Sequence, residues 1–186
     1  MVKLEKFFQI LFLLSIISLI KGSTDCNPGY YNKGGSCYKC ARGQYSPDGK
    51  GCLFCPAGSF SSSEGQSSCY QCKAGTYSPT PGASYCTDCS VGYYSGVGSS
   101  QCSACIPGTH TQYIRSTFCY RCPIGTYNNQ FGRDLCYRCP AGTYANLEGS
   151  TACTYCPAGY YSPEGSSSCF PCPPGRSSGV GAAYCV

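Results

Sequence analysis

The stretch Cys139-Pro140-Ala141-Gly142-Thr143-Tyr144, which runs on to Gly149 and Cys153, decides how this chain folds. It consists of a cysteine, a glycine three residues later, an aromatic residue two further on, a second glycine and a closing cysteine. Variants of this stretch fill the sequence from Cys26 to Cys185. The chain is therefore a tandem array of short units, each too small to fold by burying apolar surface alone.

The order of the cysteines divides the array into ten loops. Cys26 and Cys185 each stand alone, and nine Cys-x-x-Cys pairs lie between them. If every loop, from the second cysteine of one pair to the first of the next, is closed by its own disulfide, all 20 cysteines are used. An interlocked scheme would leave the two end cysteines without natural partners, although spacing does not prove a connectivity. We predict these loops, called units 1 to 10: Cys26–Cys37, Cys40–Cys52, Cys55–Cys69, Cys72–Cys86, Cys89–Cys102, Cys105–Cys119, Cys122–Cys136, Cys139–Cys153, Cys156–Cys169 and Cys172–Cys185.

Two glycine positions and one aromatic position recur inside the units. The first glycine lies three residues after the opening cysteine in all ten units, which predicts a positive φ or a close backbone approach to a sulfur atom. An aromatic residue follows two positions later in eight units, at a position that we call the slot. The second glycine lies four residues before the closing cysteine in seven units, and three before it in units 1 and 2. Because Ser, Pro and Asn fill the segment between slot and second glycine, each unit is predicted to be a short β-hairpin.

These features predict a small disulfide-rich fold of mostly irregular structure and short β-hairpins. The units would form an elongated tandem-repeat rod without a single hydrophobic core, in which contacts join nearest neighbours. Each slot ring would pack on its own disulfide or on the next unit. A disulfide that closes a loop of ~15 residues stabilises the fold by about 3 kcal/mol, because it restricts the unfolded chain.

The N-terminal segment is predicted to be a secretory signal peptide over residues 1–22, with a signal helix. Lys3 and Lys6 precede an apolar run of 14 residues from Phe7 to Ile20. This run is shorter than the ~20 residues of a membrane-spanning helix. We therefore expect a secreted or cell-surface protein in an oxidising environment, with no membrane span in the mature chain.

The charge of the mature chain excludes some partners. Cleavage removes three lysines and one glutamate, which leaves ten Lys/Arg against seven Asp/Glu, or a net charge of +3. These charges are scattered without a basic run, so neither nucleic acid nor an anionic membrane is an expected partner. An extracellular protein or glycan is the partner class that remains.

The units resemble ephrin-receptor-like cysteine-rich repeats, and in style the single-bridge modules of the tumour-necrosis-factor-receptor type. The residues that carry the resemblance are those of the opening stretch and Cys-Pro-Ala-Gly-Tyr-Tyr-Ser-Pro-Glu-Gly-Ser-Ser-Ser-Cys at Cys156–Cys169. The resemblance implies a disulfide-stapled ectodomain rod with one bridge across each loop. It implies no kinase activity, since the sequence contains no kinase domain.

The Cys-x-x-Cys pairs have two other interpretations. At a period of 15–17 residues they resemble zinc-ribbon spacing, and five four-thiolate sites would use all 20 cysteines. The signal peptide argues against zinc because secreted thiols oxidise. A thioredoxin-like redox role needs a helix beside the reactive thiol, and no window here has helical periodicity. We interpret each pair as a joint between two units and predict no cofactor, no metal site and no enzymatic activity.

Candidate binding residues lie in the joints and in one deviant unit. In unit 6, His110 occupies the slot, where it is expected to be a substituted packing residue, and Arg115 replaces the second glycine. The joint residues favour interfaces when exposed, because Tyr and Arg are common at binding hot spots. The joint candidates are Tyr38, Tyr70, Tyr120, Arg121, Tyr137, Arg138 and Tyr155.

The sequence therefore predicts a non-enzymatic extracellular structural or binding module. Three alternatives stay open at this point. The first is a protective surface coat or antigen protein without a specific partner, and the second is a fragment of a larger receptor-like ectodomain. The third is a zinc-binding or redox protein in a reducing compartment.

Overall fold

The computed structural model describes residues 25–186, so the predicted signal peptide and its helix lie outside the described residues. Regular structure within this range consists of 18 short strands. No helix in this range is long and apolar enough to cross a bilayer. The strands are β1 (Tyr30–Lys33), β2 (Ser36–Lys39), β3 (Gln44–Tyr45), β4 (Leu53–Phe54), β5 (Ser59–Phe60), β6 (Tyr70–Gln71), β7 (Thr76–Tyr77), β8 (Thr87–Asp88), β9 (Tyr93–Tyr94), β10 (Ser103–Ala104), β11 (Thr109–His110), β12 (Tyr120–Arg121), β13 (Thr126–Tyr127), β14 (Tyr137–Arg138), β15 (Thr143–Tyr144), β16 (Thr154–Tyr155), β17 (Tyr160–Tyr161) and β18 (Phe170–Pro171).

The strands pair within units as nine antiparallel hairpins. In each hairpin the first strand carries the slot residue. The second strand contains the two residues of the joint that follows the unit. In unit 7, for example, Tyr127 in the slot lies opposite Tyr137, and Thr126 lies opposite Arg138. The predicted fold class of short disulfide-linked hairpins in tandem is confirmed.

Ten disulfides close the ten units, and no cysteine of residues 25–186 is free. Their Cα–Cα distances are 5.5–5.8 Å. The bridges are Cys26–Cys37, Cys40–Cys52, Cys55–Cys69, Cys72–Cys86, Cys89–Cys102, Cys105–Cys119, Cys122–Cys136, Cys139–Cys153, Cys156–Cys169 and Cys172–Cys185. Each cysteine sulfur in residues 25–186 is bonded to another, so the zinc-ribbon interpretation has no thiolate to draw on there.

The buried layer consists of sulfur and small polar side chains rather than aliphatic ones. The opening cysteines of units 2 to 9 are at most 1% exposed. Beside them lie the residues that directly follow the slot, which are buried in units 2 to 9 although most of them are polar. These residues are Ser46, Ser61, Ser78, Ser95, Thr111, Asn128, Ala145 and Ser162.

Backbone hydrogen bonds join each unit to the next. Between units 7 and 8, the amide of Gly125 donates to the carbonyl of Ala145 at 2.7 Å, and the amide of Cys139 donates to the carbonyl of Gly125 at 2.9 Å. The amide of Gly149 returns a bond to the carbonyl of Cys122 at 2.8 Å. These three kinds of bond recur at each boundary from units 2 and 3 to units 8 and 9, with Arg115 in place of the second glycine in unit 6. They satisfy backbone groups that the two-residue strands leave unpaired.

Contacts also reach beyond the adjacent unit. A β-carbon on the first glycine of units 1 to 8 would overlap the carbonyl oxygen at the second-glycine position two units further along. Gly142 of unit 8 faces Gly181 of unit 10 in this way, whereas no atom lies near such a β-carbon at Gly159. The expectation of nearest-neighbour contacts alone is therefore too narrow. The predicted positive φ is present at the first glycine of every unit, but the close approach is to a carbonyl group rather than to a sulfur atom.

Candidate functional site

The predicted joint tyrosines lie on the second strands of their hairpins. Their side chains are 41–69% exposed. Four of them, namely Tyr38, Tyr70, Tyr120 and Tyr137, are the first residue of a joint, and each lies opposite the slot residue of its own hairpin. The ring centroids of these cross-strand pairs are 6.0–6.3 Å apart. Each ring therefore contacts the slot ring and leaves the rest of its surface accessible to a partner.

The second residue of a joint has a different position. Its side chain lies over the second glycine of a later unit. A residue in the joint between units 6 and 7, for example, lies over the second glycine of unit 8. The aliphatic part of Arg121 lies over Gly149, and that of Arg138 lies over Gly165. The ring of Tyr155 covers Gly181 in the same way. These residues are exposed overall, while carbon atoms of their side chains pack against the backbone of the glycine.

Arg115 of unit 6 occupies the second-glycine position and keeps the backbone conformation of a glycine. Its φ is 61°, the one positive φ of a non-glycine residue within residues 25–186. The joint residue that faces it is Asp88, whose Oδ1 atom is 3.4 Å from Arg115 Nε. An acidic residue thus stands where other joints place Lys39, Arg121 or Arg138. Arg115 therefore has a structural partner, and its guanidinium group is half-exposed.

His110 fills the slot of unit 6 and contacts the disulfide of unit 7. Its Nδ1 atom is 3.2 Å from Cys136 Sγ, and its ring centroid is 6.3 Å from that of Tyr120. The ligand atoms of His110, Cys122 and Cys136 all lie within 4.8 Å of one another. This spacing would suit a metal ion, but the two sulfurs are bonded to each other and carry no thiolate charge. The arrangement is therefore an imidazole–disulfide contact.

An open cleft of about 370 Å³ lies where unit 6 meets unit 7. The structure brings together three predicted candidates here, His110, Tyr120 and Arg121. Sequence reasoning missed Gln112 and Tyr113. Both residues belong to unit 6, and the departure of that unit from the repeat pattern could have pointed to them. The full lining is His110, Gln112, Tyr113, Tyr120, Arg121 and Pro123.

Aromatic rings continue from the cleft along unit 6. The ring of Phe118 lies 4.7 Å from that of Tyr120, centroid to centroid. Tyr113 is 58% exposed and Phe118 is 53% exposed. None of the residues that line the cleft is acidic, and Arg121 contributes a positive charge. The surface thus combines exposed rings, an amide and one cation, and Tyr and Arg are residue types that are enriched at protein-binding hot spots.

The other predicted candidates lie on other hairpins. Tyr38 and Tyr70 are on β2 and β6, in the first half of the array. Tyr137 lies on β14, where the Arg133 guanidinium carbon is 5.6 Å from its ring centroid. Tyr155 lies on β16. The predicted joint residues therefore repeat along the array. Of these joint residues, the cleft at units 6 and 7 contains Tyr120 and Arg121, which directly follow unit 6.

The geometry defines a class of protein, an array of single-disulfide hairpins stacked by backbone hydrogen bonds. A family model described as tyrosine-protein kinase ephrin type A/B receptor-like matches residues 43–89, 113–152 and 142–183, which together make up more than half of the chain. The chain belongs to this ephrin-receptor-like family. The matched residues lie within the array of disulfide-closed units, so the membership concerns a receptor-ectodomain type of module, which is not a catalytic one. No curated protein matches the chain.

Proposed function

We propose that this protein acts outside the cell, in secreted form or at the cell surface, as a non-enzymatic binding module. Its site would be the cleft at units 6 and 7, and its partner an extracellular protein segment with acidic side chains. Ten disulfides support the location, because such bonds persist in oxidising compartments. The observation that carries the binding site is the convergence of His110, Tyr120 and Arg121 in one open cleft.

The chemistry of the cleft favours an acidic partner. Arg121 offers hydrogen-bond donors in a planar fork that matches a carboxylate, and no lining residue opposes it with a negative charge. Tyr113 and Tyr120 supply large contact surfaces that lose little side-chain entropy on binding. The stem of Arg121 is already held against Gly149, so its guanidinium group is partly ordered before a partner arrives.

Matched peptides test this proposal. The folded chain would be titrated with fluorescent peptides rich in Asp and Glu, and with control peptides in which Lys replaces the acidic residues. We expect saturable binding of the acidic peptides and none of the control peptides. Salt should weaken this binding, because it screens the attraction between Arg121 and the acidic side chains. Tyr120→Ala with Arg121→Ala should weaken binding at least tenfold. The equivalent pair in the next joint, Tyr137→Ala with Arg138→Ala, should change it less than twofold.

Two outcomes would contradict the binding site. One is equal loss in the two double variants, which would indicate contact along the whole array. The other is equal affinity for acidic and basic peptides. A coat protein without a specific partner is the second candidate, because disulfides and bonds between units restrict the opening that proteases need. Absence of saturable binding to any peptide, combined with resistance to proteolysis, would favour that second function.

A further inference from the structure

One disulfide differs from the other nine in what lies beside it. His110 is the single histidine of the chain, and its Nδ1 atom is 3.2 Å from Cys136 Sγ. Eight other units carry Tyr or Phe in the slot, and unit 10 carries Ser177. The bridge Cys122–Cys136 is therefore the one bridge that an imidazole can face.

We propose that Cys122–Cys136 is a thiol-exchange site, which thiol reductants open before the other nine bridges. An imidazole N–H at Nδ1 can donate a hydrogen bond to Cys136 Sγ once that sulfur is a thiolate. A hydrogen bond to the thiolate stabilises the reduced form relative to the disulfide, and it makes Cys136 a better leaving group in the second step of the exchange. Tyr and Phe rings in the slots of the other units bring no imidazole to a sulfur.

The two cysteines differ in exposure, which favours one direction of attack. Cys122 is fully buried, whereas Cys136 is partly exposed. His110, which lines the open cleft, links the cleft to this bridge, because its Nδ1 atom is 3.2 Å from Cys136 Sγ. An attacking thiolate thus reaches Cys136 Sγ first, and the positive charge of Arg121 favours its approach.

The reaction is an ordinary exchange with a dithiol as reductant. One thiolate of the dithiol bonds to Cys136 Sγ, the Cys122–Cys136 bond breaks, and Cys122 leaves as a thiolate. The second thiolate of the dithiol then attacks its own sulfur in the mixed disulfide and closes a cyclic disulfide. Cys136 leaves as a thiolate that accepts a hydrogen bond from His110. Two electrons pass from the dithiol to the protein, and two thiol protons are distributed between the solvent and the new cysteines.

Graded reduction tests the proposal on the intact chain. The protein would be exposed to rising concentrations of dithiothreitol, alkylated, and mapped by peptide mass spectrometry. We expect Cys122 and Cys136 to be alkylated at a dithiothreitol concentration at least threefold lower than that required by the other interior bridges. Tyrosine is larger and leucine smaller than histidine, and neither side chain has a ring nitrogen. In His110→Tyr and in His110→Leu, Cys122–Cys136 should therefore need as much dithiothreitol as the other interior bridges.

A second variant moves the histidine to another slot and should make a different bridge easier to reduce. Tyr127 occupies in unit 7 the position that His110 occupies in unit 6. Tyr127→His should therefore bring Cys139–Cys153 of unit 8 forward in the order of reduction by a similar factor. The proposal is overturned if Cys122–Cys136 opens no earlier than the other interior bridges. It is equally overturned if Cys122–Cys136 still opens first with both substitutions of His110, or if Tyr127→His leaves Cys139–Cys153 unchanged.

Discussion

The carbonyl oxygen of Gly181 lies where a β-carbon on Gly142 would stand, although one complete unit separates the two glycines. Gly142 has a φ of 84°, and Gly159, the first glycine of the following unit, has a φ of 82°. Gly159 meets no atom within 4 Å at the same place. The two glycines thus share a backbone conformation but differ in what surrounds them. Comparing them separates the cost of a side chain at positive φ from the cost of overlap with a neighbouring carbonyl group.

We predict that Gly142→Ala is much more destabilising than Gly159→Ala. Both variants pay about 1 kcal/mol for a side chain at positive φ. Gly142→Ala adds overpacking against Gly181, which costs about 2 kcal/mol more. Denaturant unfolding with the disulfides intact, together with amide exchange in units 8 to 10, would measure the difference. Equal losses of stability would show that the contact between units 8 and 10 contributes nothing.

Asn128 is predicted to be a stabilising buried polar residue. It is completely buried, its Nδ2 atom donates to the carbonyl of Thr109 at 2.8 Å, and its Oδ1 atom accepts from the amide of Gln130 at 3.0 Å. Asn128→Ala should cost about 2 kcal/mol, because two backbone groups lose their partner and a space opens. Asn129→Ala, at the exposed neighbouring position, is the matched control and should cost less than about 0.5 kcal/mol. Thermal unfolding of the two variants would decide, and similar melting temperatures would contradict the prediction.

Arg115→Gly is predicted to leave stability unchanged or to raise it by up to about 1 kcal/mol. Glycine relieves the left-handed conformation at φ 61°, which costs an arginine about 1 kcal/mol. The ion pair with Asp88 that would be lost is half-exposed on both sides, so screening by water leaves it worth well below 1 kcal/mol. Arg115→Ala keeps the strain and loses the pair, and it should be the less stable of the two variants in chemical denaturation. A large loss of stability in Arg115→Gly would assign the pair a role that exposed ion pairs rarely have.

Removal of an interior bridge is predicted to affect more of the array than removal of the last one. Replacing Cys139 and Cys153 by Ser should loosen units 7, 8 and 9, because unit 8 exchanges backbone hydrogen bonds with both neighbours. The bridge itself contributes about 3 kcal/mol. Replacing Cys172 and Cys185 should loosen unit 10 and the contacts of unit 9. Amide hydrogen exchange across the array would map both effects, and identical footprints would argue against coupling between units.

The hairpins and the unit boundaries could be predicted from the sequence because cysteine order and turn residues act locally. The contacts between units could not. The first glycine of each unit indicated a close approach, but its partner depends on how successive units rotate relative to each other. No residue pattern within a unit records that rotation. The carbonyl group of Gly181 therefore replaced the sulfur atom that was expected beside Gly142.

The buried polar layer was also missed for a physical reason. Serine, threonine and asparagine are mostly exposed in folded proteins, so Ser95 and Asn128 gave no signal of burial. They are buried here because their backbones lie between two neighbouring units and their side chains bond to nearby carbonyl groups. The deviant unit was visible in the sequence through His110 and Arg115. Their partners lie elsewhere in the array, Cys136 in unit 7 and Asp88 in the joint between units 4 and 5, and only the stacking of units reveals them.

The bridges also determine how this chain responds to tension. A bridged unit transmits force through its disulfide, 5.7 Å between Cα atoms in Cys139–Cys153. The joint that follows adds about 10 Å when fully extended. Without its bridge the same loop would stretch by about 40 Å more. A pulled array therefore spans at most about 16 Å per unit while its bridges remain intact. Reduction of Cys122–Cys136 would release extra length at one defined unit near its middle.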